Sequence, residues 1–194
     1  MAIPRYQKTL KDSFWQAFVT TMKRNDELDM EFHFAALTNK LWRAEYLLSE
    51  KKVNVNSGDG FAIRFAVESG HDDMVKLLIE YKADVNAKEG DALIRAAALG
   101  RTEIALDLID AGADAGLRDC RALRLADAKN DFRMVSAMLR RGRGLEKGVN
   151  ELLEAAQKSG DAKKVAVYRE YLAGETAKRA PQRPKLQGGP FRPK

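Results

Sequence analysis

The chain has little of what catalysis needs. It holds two histidines, His33 and His71, and a single cysteine, Cys120. Neither histidine has a cysteine or a second histidine at ligand spacing, so no metal site is expected. Asp72 and Asp73 are adjacent, and on a helix such neighbours point about 100° apart, which rules out a converging pair for general acid–base work. Arg118 and Arg121 flank Cys120 and are expected to lower its pKa, but without a neighbouring base the thiol reads as incidental. A lone cysteine also forms no internal disulfide, which fits a reducing compartment. No Gly-x-Gly-x-x-Gly or Gly-Lys-Ser/Thr segment occurs, and GRGLEKG at 142–148 is a loop with glycines and not a phosphate cradle. No catalytic residue, cofactor or small-molecule substrate is therefore expected.

Long apolar runs are missing too, as is a charged, apolar and small-residue succession in the first thirty positions. Neither a membrane span nor a signal peptide is expected, and the expected location is cytoplasmic. Proline is nearly absent from the body, since four of the five stand beyond residue 180. What is present is ample apolar content, 45% of the chain, enough for a packed interior.

That content is periodic. Ala62, Ala92 and Ala122 fall in step, as do Ile63, Leu93 and Leu123; Ala66, Ala96 and Ala126; Gly70, Gly100 and Asn130; Leu78, Leu108 and Met138. Self-similarity at this period marks a stack of supersecondary units, each covering its neighbour's apolar face. The stretches GFAIRFAVESGHDDMVKLLIEYKADVNA at 60–87 and DALIRAAALGRTEIALDLIDAGAD at 91–114 resemble ankyrin repeats. The paired alanines, the Gly-His, the Val-x-x-Leu-Leu and the Gly-Ala-Asp stand in place. The family's Thr-Pro-Leu-His turn is replaced by FAIR, DALI and RALR. A period three short of the usual 33 implies clipped hairpins, so short loops are expected where the family has projecting fingers. The resemblance implies an all-α solenoid of antiparallel helix pairs.

Within each pair the first helix is small-residued and packs close, while the second carries Met74, Val75, Leu78 and Ile79 or their counterparts. Gly70, Gly100 and Asn130 supply a left-handed turn between the two helices. Residues 29–57 align as a degenerate first unit if one residue is inserted near Lys52, with Phe32, Ala35, Ala36, Ala44, Leu47 and Leu48 inward. Four more units are expected at 58–88, 89–118, 119–147 and 148–173, the last helix ending near Gly174. Ahead of the array, Leu10, Phe14, Phe18 and Met22 recur every fourth position, so 1–28 reads as a capping helix, or else as an anchor for a partner. Behind it, 174–194 is a basic, proline-rich tail, disordered or extended. There, six Lys and Arg face only Glu175, giving about +5 of the formal +6. Its repeated PQRPK and PFRPK make Arg183, Lys185, Arg192 and Lys194 candidate contacts, as docking motifs or as a non-specific basic end.

In the ankyrin family the loop tips and exposed first-helix positions form the usual protein-binding surface. Carried over by position, the partner-binding candidates are Asp59, Phe61 and Arg64, then Glu89, Asp91 and Arg95, then Asp119, Arg121 and Arg124. Phe61 is either an exposed anchor or a packed ring. Arg64 and Arg124 stand where the family has a bracing histidine, so backbone bracing is their alternative. The expected function is non-enzymatic protein binding, as adaptor or inhibitor of a protein partner. The alternative is a nucleic-acid or ribonucleoprotein accessory that contacts phosphates through the tail and through Arg118, Arg121, Arg124, Arg140, Arg141 and Arg143.

Overall fold

The computed structural model describes residues 27–142 and 144–179, the last four by backbone alone. Among these residues there are ten helices and no strand. The expectations for Leu10, Phe14, Phe18 and Met22, and for the tail contacts Arg183, Lys185, Arg192 and Lys194, fall outside the described residues.

The helices run in pairs. These are α1 (Glu27–Leu37) with α2 (Leu41–Ser49), α3 (Ser57–Ser69) with α4 (Asp72–Glu80), α5 (Ala87–Leu99) with α6 (Thr102–Asp110), α7 (Leu117–Ala128) with α8 (Phe132–Arg141), and α9 (Glu146–Ser159) with α10 (Ala162–Arg179). First helices pack in the order α1, α3, α5, α7, and second helices in the order α2, α4, α6, α8. The chain divides into two compact units, Met1–Gly148 and Val149–Lys194.

One turn, repeated five times, makes the pairs. Asn39, Gly70, Gly100, Asn130 and Gly160 all adopt positive φ, between 56° and 76°. The N–H of the residue that follows each donates to the carbonyl of an alanine five positions earlier: Lys40 to Ala35, His71 to Ala66, Arg101 to Ala96, Asp131 to Ala126 and Asp161 to Ala156, all at 2.9–3.0 Å. This closes the first helix by satisfying a carbonyl that would otherwise lack a partner. The second helix then starts at once. Asp131 caps it by accepting from Met134 N–H at 3.0 Å, and Asp161 does the same for Lys164 N–H at 3.1 Å.

The core follows the periodicity. Ile63, Ala66, Met74, Val75 and Leu78 are buried, as are Leu93, Ala96, Ile104, Ala105, Leu108 and Ile109, and Leu123, Ala126, Met134, Val135, Met138 and Leu139. Ile79 alone of the expected layers is half-buried. In the first pair Phe32, Ala35, Ala36, Ala44, Leu47 and Leu48 are all buried, as most of their counterparts in the next three pairs are. In the second compact unit Ala156 and Tyr168 are buried, while Leu153 and Val165 are half-buried.

Two positions distinguish the first pair. Ala62, Ala92 and Ala122 are buried, and so are Met74, Ile104 and Met134. Their counterparts in the first pair are Glu31 and Arg43, which form an ion pair, with Arg43 Nε donating to Glu31 Oε1 at 2.7 Å. Positions that are apolar and covered wherever a described pair precedes thus become polar where none does.

The end of α10 departs from expectation. The helix passes through Gly174 and continues to Arg179. A single interior glycine costs only about 1 kcal/mol, and the Ala, Lys and Arg that follow favour the helix.

Candidate loop-tip surface

Among the described residues no β-finger leads into α3, α5 or α7. Three successive residues adopt left-handed helical geometry instead: Gly58, Asp59 and Gly60 before α3 proper, Lys88, Glu89 and Gly90 before α5, and Arg118, Asp119 and Cys120 before α7. Each forms one left-handed turn, closed by Gly60 N–H to Asn56 O, Gly90 N–H to Asn86 O and Cys120 N–H to Gly116 O at 2.9–3.3 Å. The conformation costs a residue with a Cβ roughly 1–2 kcal/mol. The surrounding structure must therefore hold it.

Side-chain acceptors do so. Asn54, Asp84 and Asp114 each accept from the N–H two residues on, at 2.8–2.9 Å. Asn56 Oδ1 then accepts from Asp84 N–H at 2.7 Å and Asn86 Oδ1 from Asp114 N–H at 2.8 Å, while Asn86 Nδ2 donates to Gly112 O at 3.1 Å. Successive turns are thereby tied to each other. Between the first two runs an open groove lined by Asn56, Asp59, Asp84, Ala87, Lys88 and Glu89.

Charge follows the same ladder. Asp59 pairs with Lys88 at 3.1 Å, Glu89 with Arg118 at 3.0 Å and Asp119 with Lys147 at 3.6 Å. All three acids are exposed. Behind them Asp91 is a hub that accepts from Arg95 at 2.7 Å and Arg64 at 3.3 Å, with Arg118 at 4.0 Å; Arg95 also reaches Glu68 at 2.5 Å. Burial pushes the Asp91 carboxyl up, but hydrogen bonds and charge from Arg95 and Arg64 outweigh it and leave it below its ordinary value. Arg124 braces its own turn, its Nε donating to Asp119 O at 3.0 Å and its Nη2 to Asp119 Oδ2 at 2.8 Å. Arg121 is exposed.

The structure thus places these residues in three groups: Asp59 with Lys88; Arg64, Glu89, Asp91 and Arg95 with Arg118 and Glu68; and Asp119 and Arg124 with Lys147. Of Lys88, Arg118, Lys147 and Glu68, only Arg118 is a candidate from sequence, and there as a phosphate contact. The sequence carried a signal for the first three, in opposite charges recurring 28 or 29 positions apart along the tips.

Phe61 lies in the core. It is 5% exposed, with its ring centroid 4.1 Å from Phe65 and 4.7 Å from His33. The packed-ring alternative describes it, and it offers no anchor at the surface. His33, on α1, is fully buried. Its Nε2 stands 2.8 Å from Ser57 Oγ and 3.2 Å from Ser57 O. A serine and an imidazole at that distance match a nucleophile and its base, but this imidazole is sealed from substrate. Burial lowers its pKa to about 4 against the weaker opposing effect of the Ser57 hydrogen bond. His71, at the second-helix start, places Nε2 3.1 Å from Leu37 O and so ties its pair to the one before.

Cys120 requires a correction. Burial raises its pKa, Asp119 raises it further, and Arg124 opposes only in part. The flanking arginines do not activate it, because Arg118 is engaged by Glu89 and the thiol is buried. Two of the arginines read as phosphate contacts are also engaged, Arg141 by Asp110 at 2.8 Å and Arg140 by Ser136 O, to which it donates at 3.3 Å. Among the described residues no three His, Cys, Asp or Glu side chains converge, and no helix is long and apolar enough to cross a membrane.

No curated protein matches this chain. The family model for ankyrin repeats does, with three copies over residues 32–119. That span takes in the second half of α1, all of α2 to α6 and the first two left-handed turns. Residues 32–119 thus match ankyrin repeats, a family of general protein–protein interaction modules that is typically non-enzymatic.

Proposed function

We propose that the protein is a non-enzymatic adaptor or inhibitor that docks one protein partner on its loop tips and on the adjoining first-helix positions. Asp59, Glu89, Asp119 and Arg121 form the exposed row, with Arg64, Asp91, Arg95 and Arg124 fixing it from behind. The observation that carries this reading is the repetition of one constrained tip three times, at a fixed interval, with exposed charge at the same place in each. Tips tied by side-chain ladders are ordered before binding, so little conformational entropy is lost on docking. A partner would displace exposed ion pairs worth about 0–1 kcal/mol each. The tail residues Arg183, Lys185, Arg192 and Lys194 supply a second, electrostatic contact.

The test is affinity purification from the native source with the wild-type chain and with an Asp59→Lys, Glu89→Lys, Asp119→Lys variant whose melting temperature has been checked. A partner that is held by the wild type and lost by the folded variant supports the reading. Partners that bind both equally remove it. Cytoplasmic residence is part of the same reading and is checked by imaging a tagged chain.

A further inference from the structure

Exposed apolar side chains are not spread along the array. Of the six large ones among the described residues, Leu28, Met30, Phe34, Trp42 and Tyr46 lie on the first helix pair, and only Leu99 lies elsewhere. Trp42 is the sharpest case, being 69% exposed. Its counterparts in the next three pairs are Asp73, Glu103 and Arg133, all exposed and charged. The repeat therefore solvates this position everywhere else, and here it carries the largest apolar side chain available. Trp42 and Tyr46 are four apart and share a face of α2, as Met30 and Phe34 do on α1. Between the two faces runs the Glu31–Arg43 ion pair, with the Arg43 guanidinium 5.8 Å from the Trp42 ring and 5.2 Å from the Tyr46 ring.

We propose that residues 10–22 of the same chain cover this face, with Leu10, Phe14, Phe18 and Met22 set against Met30, Phe34, Trp42 and Tyr46. The occupant is chosen by the chain outside the described residues. It joins α1 through only four residues, 23–26, which span at most about 14 Å. That tether keeps the segment beside α1 at an effective concentration in the range of millimolar or above. Length agrees as well. A helix over 10–22 is roughly 20 Å long, close to the roughly 16 Å of α1, so it runs the length of the pair and meets both ends of the apolar face. The polar Glu31–Arg43 centre explains why this cover is one amphipathic helix and not another repeat, which would need Ala and Met in those places.

The two tryptophans, Trp15 and Trp42, report the contact from either side. In a full-length Trp15→Phe chain, Trp42 is expected to emit to the blue of free indole and to resist acrylamide. Adding Phe14→Asp and Phe18→Asp should shift it to the red and raise its quenching several-fold, with the helical circular dichroism of the array retained. In a Trp42→Phe chain, Tyr46→Lys should likewise expose Trp15; position 46 is already at the surface, so this variant folds whatever the role of the segment. Equal quenching of Trp42 with and without the Asp substitutions, or a Trp15 that ignores Tyr46→Lys, overturns the proposal. So does shielding that appears only at concentrations where sedimentation shows a dimer, since a second copy is then the occupant, or shielding that requires another protein. Docking on the loop tips is independent of every one of these results.

Discussion

Cys120 and Gly148 divide one small space between them: a Cβ built on Gly148 would lie 2.8 Å from both Cβ and Sγ of Cys120. Earlier in the array the same contact is arranged the other way round. Gly60 faces Ala87, and Gly90 faces Leu117, with a Cβ on either glycine falling 2.6 Å or 3.1 Å from its neighbour. Each contact admits one side chain, and the third tip places it on the opposite partner. Gly148→Ala should therefore destabilise the protein by about 1–3 kcal/mol through overpacking. Cys120→Gly should rescue it, relieving both the clash and a left-handed residue with a Cβ. A double-mutant cycle by urea denaturation measures the coupling, and additive effects would show that the two sites do not share space.

Gly60 and Gly100 separate backbone strain from crowding. Both have φ of +69°, with ψ of 33° and 32°, yet Gly100 has nothing within 4 Å of a built Cβ while Gly60 meets Ala87. Gly100→Ala should cost about 1–2 kcal/mol, the left-handed penalty alone. Gly60→Ala should cost about 1–3 kcal/mol more. Thermal melts of the two variants give the difference directly.

His33 makes stability depend on pH. Its unfolded imidazole takes a proton near pH 6.5, whereas the folded one resists until about 4. Between those values the unfolded chain binds more protons, so stability is fully present above 6.5 and is lost as pH falls toward 4. The loss should reach about 2 kcal/mol by pH 5 and on the order of 3 kcal/mol at its limit. A His33→Leu chain gives up the Ser57 contact and starts lower, but its urea midpoint should change far less between pH 7 and 5. Asp91, held below its ordinary value, adds its own loss only at lower pH.

Asn86 is the busier rung of the ladder. It accepts from Asp114 N–H and donates to Gly112 O, while Asn56 accepts from Asp84 N–H. At about 0.5–1.5 kcal/mol per hydrogen bond, Asn86→Ala should cost roughly twice as much as Asn56→Ala. Hydrogen exchange should locate the loosening at the second and third tips. Equal protection there in wild type and Asn86→Ala would show that the ladder does not hold them.

Much of the array was legible because its signal is additive. Every layer from Leu93 to Leu139 follows from spacing alone, and Gly70, Gly100 and Asn130 announce their own turns. The tips were not legible. Arg118 and Cys120 are residues that propensity keeps out of left-handed geometry, and the turn that contains them is held by hydrogen bonds to Asp114 and Asn86 and from Arg124. Phe61 was readable as anchor or as packing, and the choice depends on His33, 28 positions away. The contact between His33 and Ser57 spans 24 residues and leaves no local pattern. The thiol of Cys120 went the other way from its flanking arginines because burial, which sequence does not display, outweighs nearby charge.

The alternation of small and large residues at the tips has a bearing on how such a protein can change its length. Gly60 and Ala87 lie within 58–88, and Gly90 and Leu117 within 89–118. Excising 89–118 as a block would remove one lock together with its own key. The flanking pairs would still match across the new seam, so the number of modules can vary while the rule that joins them stays the same.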